Sequence, residues 1–358
     1  MARKGSHMFL AIREMRKEKL RYGLVIAVIA LISFLIFILS ALALGLSNEN
    51  TSAVTSWQVR HVAMSNDANG NLAQSLLPQD KVTQLIDHQP HSAPIGVAQT
   101  ILKFKRQRVA TTFIGFLPDS RYGKRVSLAA GRLPKSSQEV VVSEKLRQSG
   151  LRLGDQITIG LLPQKLTVVG FVKNAAYNMS PVVYGDLHHW PAIKGVTSAF
   201  YASGVISDEP LTHVAGTKVY TRGALFNKMP GYAAQNMTFE LMIGFLVVIS
   251  IVVVAIFLYI LTMQKLPNLA VLRTQGIPSR YLVFNTLSET AMIMTSAVVI
   301  GLLACLLSSL AIPSVVPMYF NFQLILAVGL GLIVAGLLAA FIPIRLIVKI
   351  EPKQGIGG

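Results

Sequence analysis

Charge and cysteine are what this chain lacks. Its one cysteine, Cys305, sits inside an apolar run with no partner, so the chain can build neither a disulfide framework nor a thiolate metal site. It reads as a small buried hydrophobe. Charged residues make up only 14% of the sequence, where an ordinary soluble domain carries about 25%. Hydrophobic residues reach 52%, so much of the chain must face lipid. No Gly-x-x-x-x-Gly-Lys-Ser/Thr phosphate loop occurs, which excludes nucleotide hydrolysis of the P-loop kind. The histidines form no catalytic or metal-ligating constellation, and no enzyme activity is expected of the chain by itself. His188-His189, followed by Trp190-Pro191, reads as a surface segment.

Four nearly uncharged stretches, 24–46, 241–263, 286–312 and 322–348, can each cross a bilayer whose apolar core is about 30 Å thick. Residues 1–7, with Gly-Ser-His-Met at their end, read as a tag remnant. The first stretch is too long for a signal peptide and is expected to stay as a helix. Arg13, Arg16, Lys17, Lys19 and Arg21 precede the first span. Lys265, Arg273 and Arg280 lie between the second and third, and Arg345, Lys349 and Lys353 close the chain. The positive-inside rule therefore puts residues 8–23, the 264–281 connection and the 349–358 tail in the cytoplasm. Residues 47–240 then form an extracytoplasmic domain of α+β character. Its strand-like runs include 139–143, 156–160 and 165–173, and 143–149 is a helical patch. Its basic runs, 103–108 and 121–125, read as solvated charge or as contacts to anionic lipid or envelope polymer, with no nucleic-acid partner expected.

The stretch Phe9-Leu-Ala-Ile-Arg-Glu-Met-Arg-Lys-Glu-Lys-Leu-Arg-Tyr-Gly23 resembles the amphipathic elbow helix that opens ABC transporter permeases of the MacB and FtsX type. Gln264-Lys-Leu-Pro-Asn-Leu-Ala-Val-Leu-Arg-Thr-Gln-Gly-Ile-Pro-Ser-Arg280 is similar to the coupling helix of that family, which docks into the ATPase subunit. Leu269, Leu272 and Val271 would offer the apolar docking face, Arg273 a charge, and Gly276 the helix end. Asn268 stands where the family often has an acid. Glu139-Val-Val-Val-Ser-Glu-Lys-Leu146, Leu153-Gly-Asp-Gln-Ile-Thr158, Val168-Val-Gly-Phe-Val-Lys173 and Ser180-Pro-Val-Val-Tyr184 resemble the MacB-type outer domain. The elbow and the 264–276 stretch look most like the DevC and HrtB branch, whose HrtB members are permeases of a haem efflux pump.

The resemblance implies an integral membrane protein of a bacterial plasma membrane, with both termini cytoplasmic. Its fold would be four transmembrane α-helices, an N-terminal elbow helix and a large α+β MacB-like domain. It also implies a homodimer served by two copies of a separate ATPase, which alone would hold ATP and magnesium. The chain itself would carry no intrinsic cofactor, and haem would be its transported ligand. In the family architecture the first two spans flank the dimer axis, which makes Glu49, Trp57, Arg60, His61 and Met64 on one side and Met237, Phe239 and Glu240 on the other a candidate haem pocket. The same residue types also fit ordinary helix packing. Glu289, in the third span, is expected to bond the neighbouring coupling segment in a structural role. Alternative readings are an FtsX-like regulator of a cell-wall hydrolase and an exporter of lipid or lipoprotein.

Overall fold

The computed structural model describes residues 18–87, 89–313 and 316–348. Most of the expected elbow helix, the tag remnant and the C-terminal tail lie outside these residues. The described chain forms two compact units, one of residues 46–236 and one of residues up to 45 together with those from 237 onward.

The helical unit is built on α1 (Lys19–Ser56), α6 (Tyr232–Thr274), α7 (Ser279–Ala311), α8 (Phe322–Ala339) and α9 (Phe341–Val348). Four spans are long and apolar enough to cross a membrane, the last comprising α8 with most of α9. Each outgrows or divides the apolar run that announced it. At 1.5 Å per residue, α1 is about 57 Å long and α6 about 65 Å, twice the bilayer core. Residues 264–274 are the last three turns of α6 and not a separate coupling helix, even though Pro267 removes one helical N–H there. Gly276, at φ +85°, then ends the helix, with Ile277 N–H donating to the Leu272 carbonyl in a Schellman arrangement. The fourth span is broken at Ala340 because the Pro343 ring would clash with the carbonyl of Ala339, four residues back.

Apolar packing joins these helices. Tyr22, Val25 and Ile29 of α1, Val254 and Leu258 of α6, and Ile293, Met294 and Ala297 of α7 share one buried cluster. A second gathers Ile36, Phe37, Val298, Leu332 and the buried Cys305. Gly301 lets α7 approach α1 closely, since a Cβ there would lie 2.8 Å from the Ala30 carbonyl oxygen and 2.9 Å from the Phe34 nitrogen.

The other unit is a mixed β-sheet domain. Its strands are β1 (His61–Ser65), β2 (Leu77–Pro78), β3 (Ser92–Phe104), β4 (Gln107–Phe116), β5 (Leu128–Gly131), β6 (Glu139–Ser143), β7 (Gln156–Ile159), β8 (Leu166–Val172), β9 (Ala176–Tyr177), β10 (Ser180–Asp186), β11 (Phe200–Ala202), β12 (Gly204–Ser207) and β13 (Thr217–Thr221). The main sheet runs β13-β1-β12-β3-β4-β10-β6-β8-β5, with β7 and β9 paired at its flanks. β4 with β10 and β6 with β8 are parallel. Short helices α2 (Gln79–Ile86), α3 (Arg121–Lys124), α4 (Trp190–Lys194) and α5 (Arg222–Lys228) complete the domain.

Both faces of the central strands are buried, so they read as unbroken apolar runs and not as an alternation. Ile95, Ile114, Val141, Val182 and Tyr184 point into one core. Their neighbours Ala98, Phe113, Val140, Val142 and Val183 point into the other. Each core has one of the two tryptophans. Trp57, at the end of α1, meets Phe116 edge to face at 5.9 Å, and Trp190 of α4 donates its Nε1–H to the Val97 carbonyl at 3.0 Å.

Candidate functional site

The polar end of α1 is where the expected pocket residues begin. Residues 47–56 carry few apolar side chains, and their short polar groups bond back onto the helix, which by itself favours it little. Asn50 Nδ2 donates to the Leu46 carbonyl at 2.9 Å and Thr51 Oγ1 to that of Ser47 at 2.8 Å. The hairpin turn between β9 and β10 closes on this segment. Met179 N–H donates to the Glu49 carbonyl at 3.1 Å, Asn178 N–H to that of Asn50 at 3.0 Å, and Ser52 Oγ to that of Ala176 at 3.1 Å. The Glu49 carboxylate forms an ion pair with Lys145. Asn178 and Met179 both have positive φ, 49° and 63°, as a type I′ turn demands. Glycine is the usual second residue of that turn. Here it is methionine, a side chain that strains in this backbone region, and the residue is 55% exposed. Nothing in the sequence marked Met179: the only available signal was a two-residue Asn-Met loop between strand-like runs.

Two expected pocket residues are corrected. Trp57 and Met64 are fully buried in the sheet core, so neither presents a surface to a ligand. Arg60 is exposed and His61 half-buried, with His61 Nδ1 enclosed and without a hydrogen-bond partner. On α6, Met237 and Glu240 are exposed and Phe239 is half-buried. These three belong to the helical unit, whereas Glu49, Arg60 and His61 belong to the sheet domain. The helical unit also holds an apolar cleft of about 160 Å³ lined by Phe37, Leu44, Ile243, Leu302, Phe320 and Leu324. His188 and His189 are engaged locally, the first by Asp186 at 2.6 Å and the second by the Ser137 carbonyl at 2.9 Å.

At the other end of the spans, Glu289 of α7 is buried and accepts two bonds from Lys265 Nζ, each of 2.9 Å. Tyr22 of α1 donates to the same carboxylate. The acid thus ties α1, α6 and α7 beside the 264–276 segment, as the sequence led us to expect. The apolar docking face is a correction in part. Leu269 and Leu272 are half-buried against Leu282 and Ile347, within their own unit. The free surface of these turns is instead Asn268, Val271, Thr274 and Gln275, spaced to share one side of the helix. Arg273 is half-buried, with Nη1 3.4 Å from the Ile277 carbonyl.

Comparison with known proteins resolves what this scaffold is. Residues 22–206, more than half of the chain, match the MacB-like periplasmic core domain, and residues 240–352 match the FtsX-like permease C-terminal domain. The chain belongs to the MacB/FtsX family of ABC transporter permeases. A relative in Staphylococcus haemolyticus, named as a hemin transport system permease protein HrtB, is 26% identical over 357 residues, covering 98% of this permease and 99% of the relative. An ABC transporter permease of Mycobacterium tuberculosis is 25% identical over 357 residues, with the same coverage. The crystal structure of the periplasmic region of MacB from Actinobacillus actinomycetemcomitans covers 46% of this permease and 91% of that chain at 13% identity, with a TM-score of 0.35.

Proposed function

We propose that this permease exports haem, a membrane-partitioned amphiphile, driven by a separate ATPase bound in two copies to a homodimer of the chain. The observation that carries the reading is Met179, an exposed residue in a strained turn fastened to Glu49. Haem is a flat apolar ring with an iron that accepts methionine or histidine and with two carboxylates. Met179 supplies a soft ligand of that kind, and Lys145, paired with Glu49, would exchange that carboxylate for one of haem's. Strained backbone of this sort concentrates at ligand sites. The full-length likeness to a protein named for hemin transport supports the same cargo.

Arg60 and His61 in the sheet domain remain candidates for this ligand, and Met237, Phe239 and Glu240 of the helical unit remain a separate candidate surface. α6 buries the least of the four spans. Met237, Leu241, Met242, Phe245 and Ile249 are exposed along it at helical spacing, a face suited to a second copy of the chain and to an apolar cargo. In this reading the ATPases dock on Asn268, Val271 and Gln275 at the cytoplasmic end of α6, with Gly276 and Arg273 fixing the turn behind them. Their closure moves α6 and drives the cargo outward by mechanotransmission.

The test is a haem titration of the purified permease in detergent, following the Soret band for wild type and for Met179→Leu, Lys145→Gln, Met237→Ala and Glu240→Ala. A saturable shift that weakens about tenfold or more in Met179→Leu, equivalent to at least about 1.4 kcal/mol, supports the proposal. A shift that does not saturate and ignores every substitution means partition into micelles. That result overturns haem as cargo in favour of lipid export or regulation of a cell-wall hydrolase.

A further inference from the structure

The two basic runs of the sheet domain have opposite fates. Arg121 and Arg125 both bond Asp208, at 2.6 Å and 3.2 Å, so their charge is met inside the fold. Lys103, Lys105, Arg106 and Arg108 are all exposed, and none has an ion pair among the described residues. No acid occurs in the sequence from residue 88 to 118.

These four cations crown the hairpin of β3 and β4. Lys103 lies directly opposite Arg108 in the ladder, and Phe104 opposite Gln107, which leaves Lys105 and Arg106 as a two-residue turn. Both features are locally unfavourable. Like charges directly across a ladder, with Cβ atoms about 5 Å apart, repel. Lys105 has φ +52° at the first central position of the turn, where glycine is preferred. A folded sheet gains nothing from either choice, so the charge is kept for something outside the fold.

The tip has no exposed aromatic side chain. Its one aromatic residue, Phe104, is only 7% exposed and lies beneath the Lys105 ammonium, 4.7 Å from its ring centroid. Every other residue from 103 to 108 is charged or polar, and the exposed Ile101 stands further back along the strand. Loops that enter a lipid interface present exposed Trp, Phe or Leu alongside their cations. This one offers charge alone, on a narrow ribbon where Lys103 and Arg108 face each other with Cβ atoms about 5 Å apart. That spacing suits successive ionic groups of a chain molecule. We propose that the β3–β4 hairpin tip is a docking site for a linear polyanion whose charges are backbone phosphates. The proposal is independent of the haem reading.

The experiment measures binding of long-chain inorganic polyphosphate to the full permease in detergent across a salt series. Wild type is compared with a variant carrying Lys103→Gln, Lys105→Gln, Arg106→Gln and Arg108→Gln, and with a control carrying Lys124→Gln, Arg152→Gln, Lys173→Gln and Arg222→Gln. Wild-type affinity is expected to fall steeply with salt. The hairpin variant should bind at least tenfold more weakly and lose about three units of the slope of log affinity against log salt, at about 0.7 per phosphate contact. The control should lose far less and keep the wild-type melting temperature, and the hairpin variant, relieved of the Lys103–Arg108 repulsion, should melt at or slightly above it. Equal losses in the two variants would assign the binding to the diffuse net charge of +17 and overturn the proposal. So would a hairpin variant that keeps its polyphosphate affinity while losing adhesion to phosphatidylglycerol vesicles, which would make the partner a lipid surface.

Discussion

The amide of Met179 donates to the carbonyl oxygen of Glu49, fixing a two-residue turn of the sheet domain against the polar end of α1. Position 179 combines a strained backbone with a useful N–H, so backbone and side chain can be tested separately. Met179→Gly should relieve a left-handed conformation that costs an L-residue about 1–2 kcal/mol, offset by about 0.5–1 kcal/mol of glycine entropy. The net expectation is a melting temperature equal to or slightly above wild type, with haem affinity lost. Met179→Val, β-branched in the same region, should melt lower than wild type.

The Lys265–Glu289 pair gives a second prediction. Both side chains are largely enclosed, so Glu289→Leu takes from the Lys265 ammonium the carboxylate it bonds twice and should cost about 3–5 kcal/mol. The double variant Lys265→Met with Glu289→Leu should recover most of that loss in thermal unfolding. If the pair also communicates with the ATPase, the double variant will be stable yet uncoupled in ATPase stimulation.

Trp57 separates core from pocket. Trp57→Phe should lower the melting temperature, whereas haem affinity of the folded fraction should stay unchanged. Trp57→Ala should cost about 3–5 kcal/mol. A specific loss of haem affinity in a fully folded Trp57→Phe variant would return this residue to the site.

Acid stability depends on Glu139. Its carboxyl is held down to about 2 by the Arg132 guanidinium, with bonds of 2.5 Å and 2.7 Å, and by the Lys135 N–H. A depressed acid stabilises the fold above its unfolded pKa, and that contribution is lost as pH falls from about 4.3 towards 2. Glu139→Gln should therefore lower the melting temperature at neutral pH, and the gap from wild type should shrink over that acid range.

Much of this fold could be read in advance from apolar periodicity. The first three spans fall within long helices, the fourth is divided at Ala340, and the runs at 139–143, 156–160 and 165–173 are strands within a residue or two. Gly276 ended its helix as its type suggested. What stayed hidden depends on tertiary contacts. The polar residues 47–56 have no apolar signature of a helix, because what holds them is their bonding to the β9–β10 turn. Trp57 and Met64 looked like ligand residues by type, and only their neighbours show them to be core. Leu269 and Leu272 looked free because the residues that cover them lie on later helices, Leu282 beyond the turn and Ile347 far along the chain. The break at Ala340 is different, since Pro343 was there to be read.

α6 runs unbroken for 43 residues, with one proline and no glycine kink, so its two ends cannot be displaced independently. It is a lever about 65 Å long. A tilt of about 10° about its middle would carry each tip through about 6 Å, roughly one helical turn. Pro267, about two turns from the far end, is a place where such a stroke could be absorbed instead of delivered.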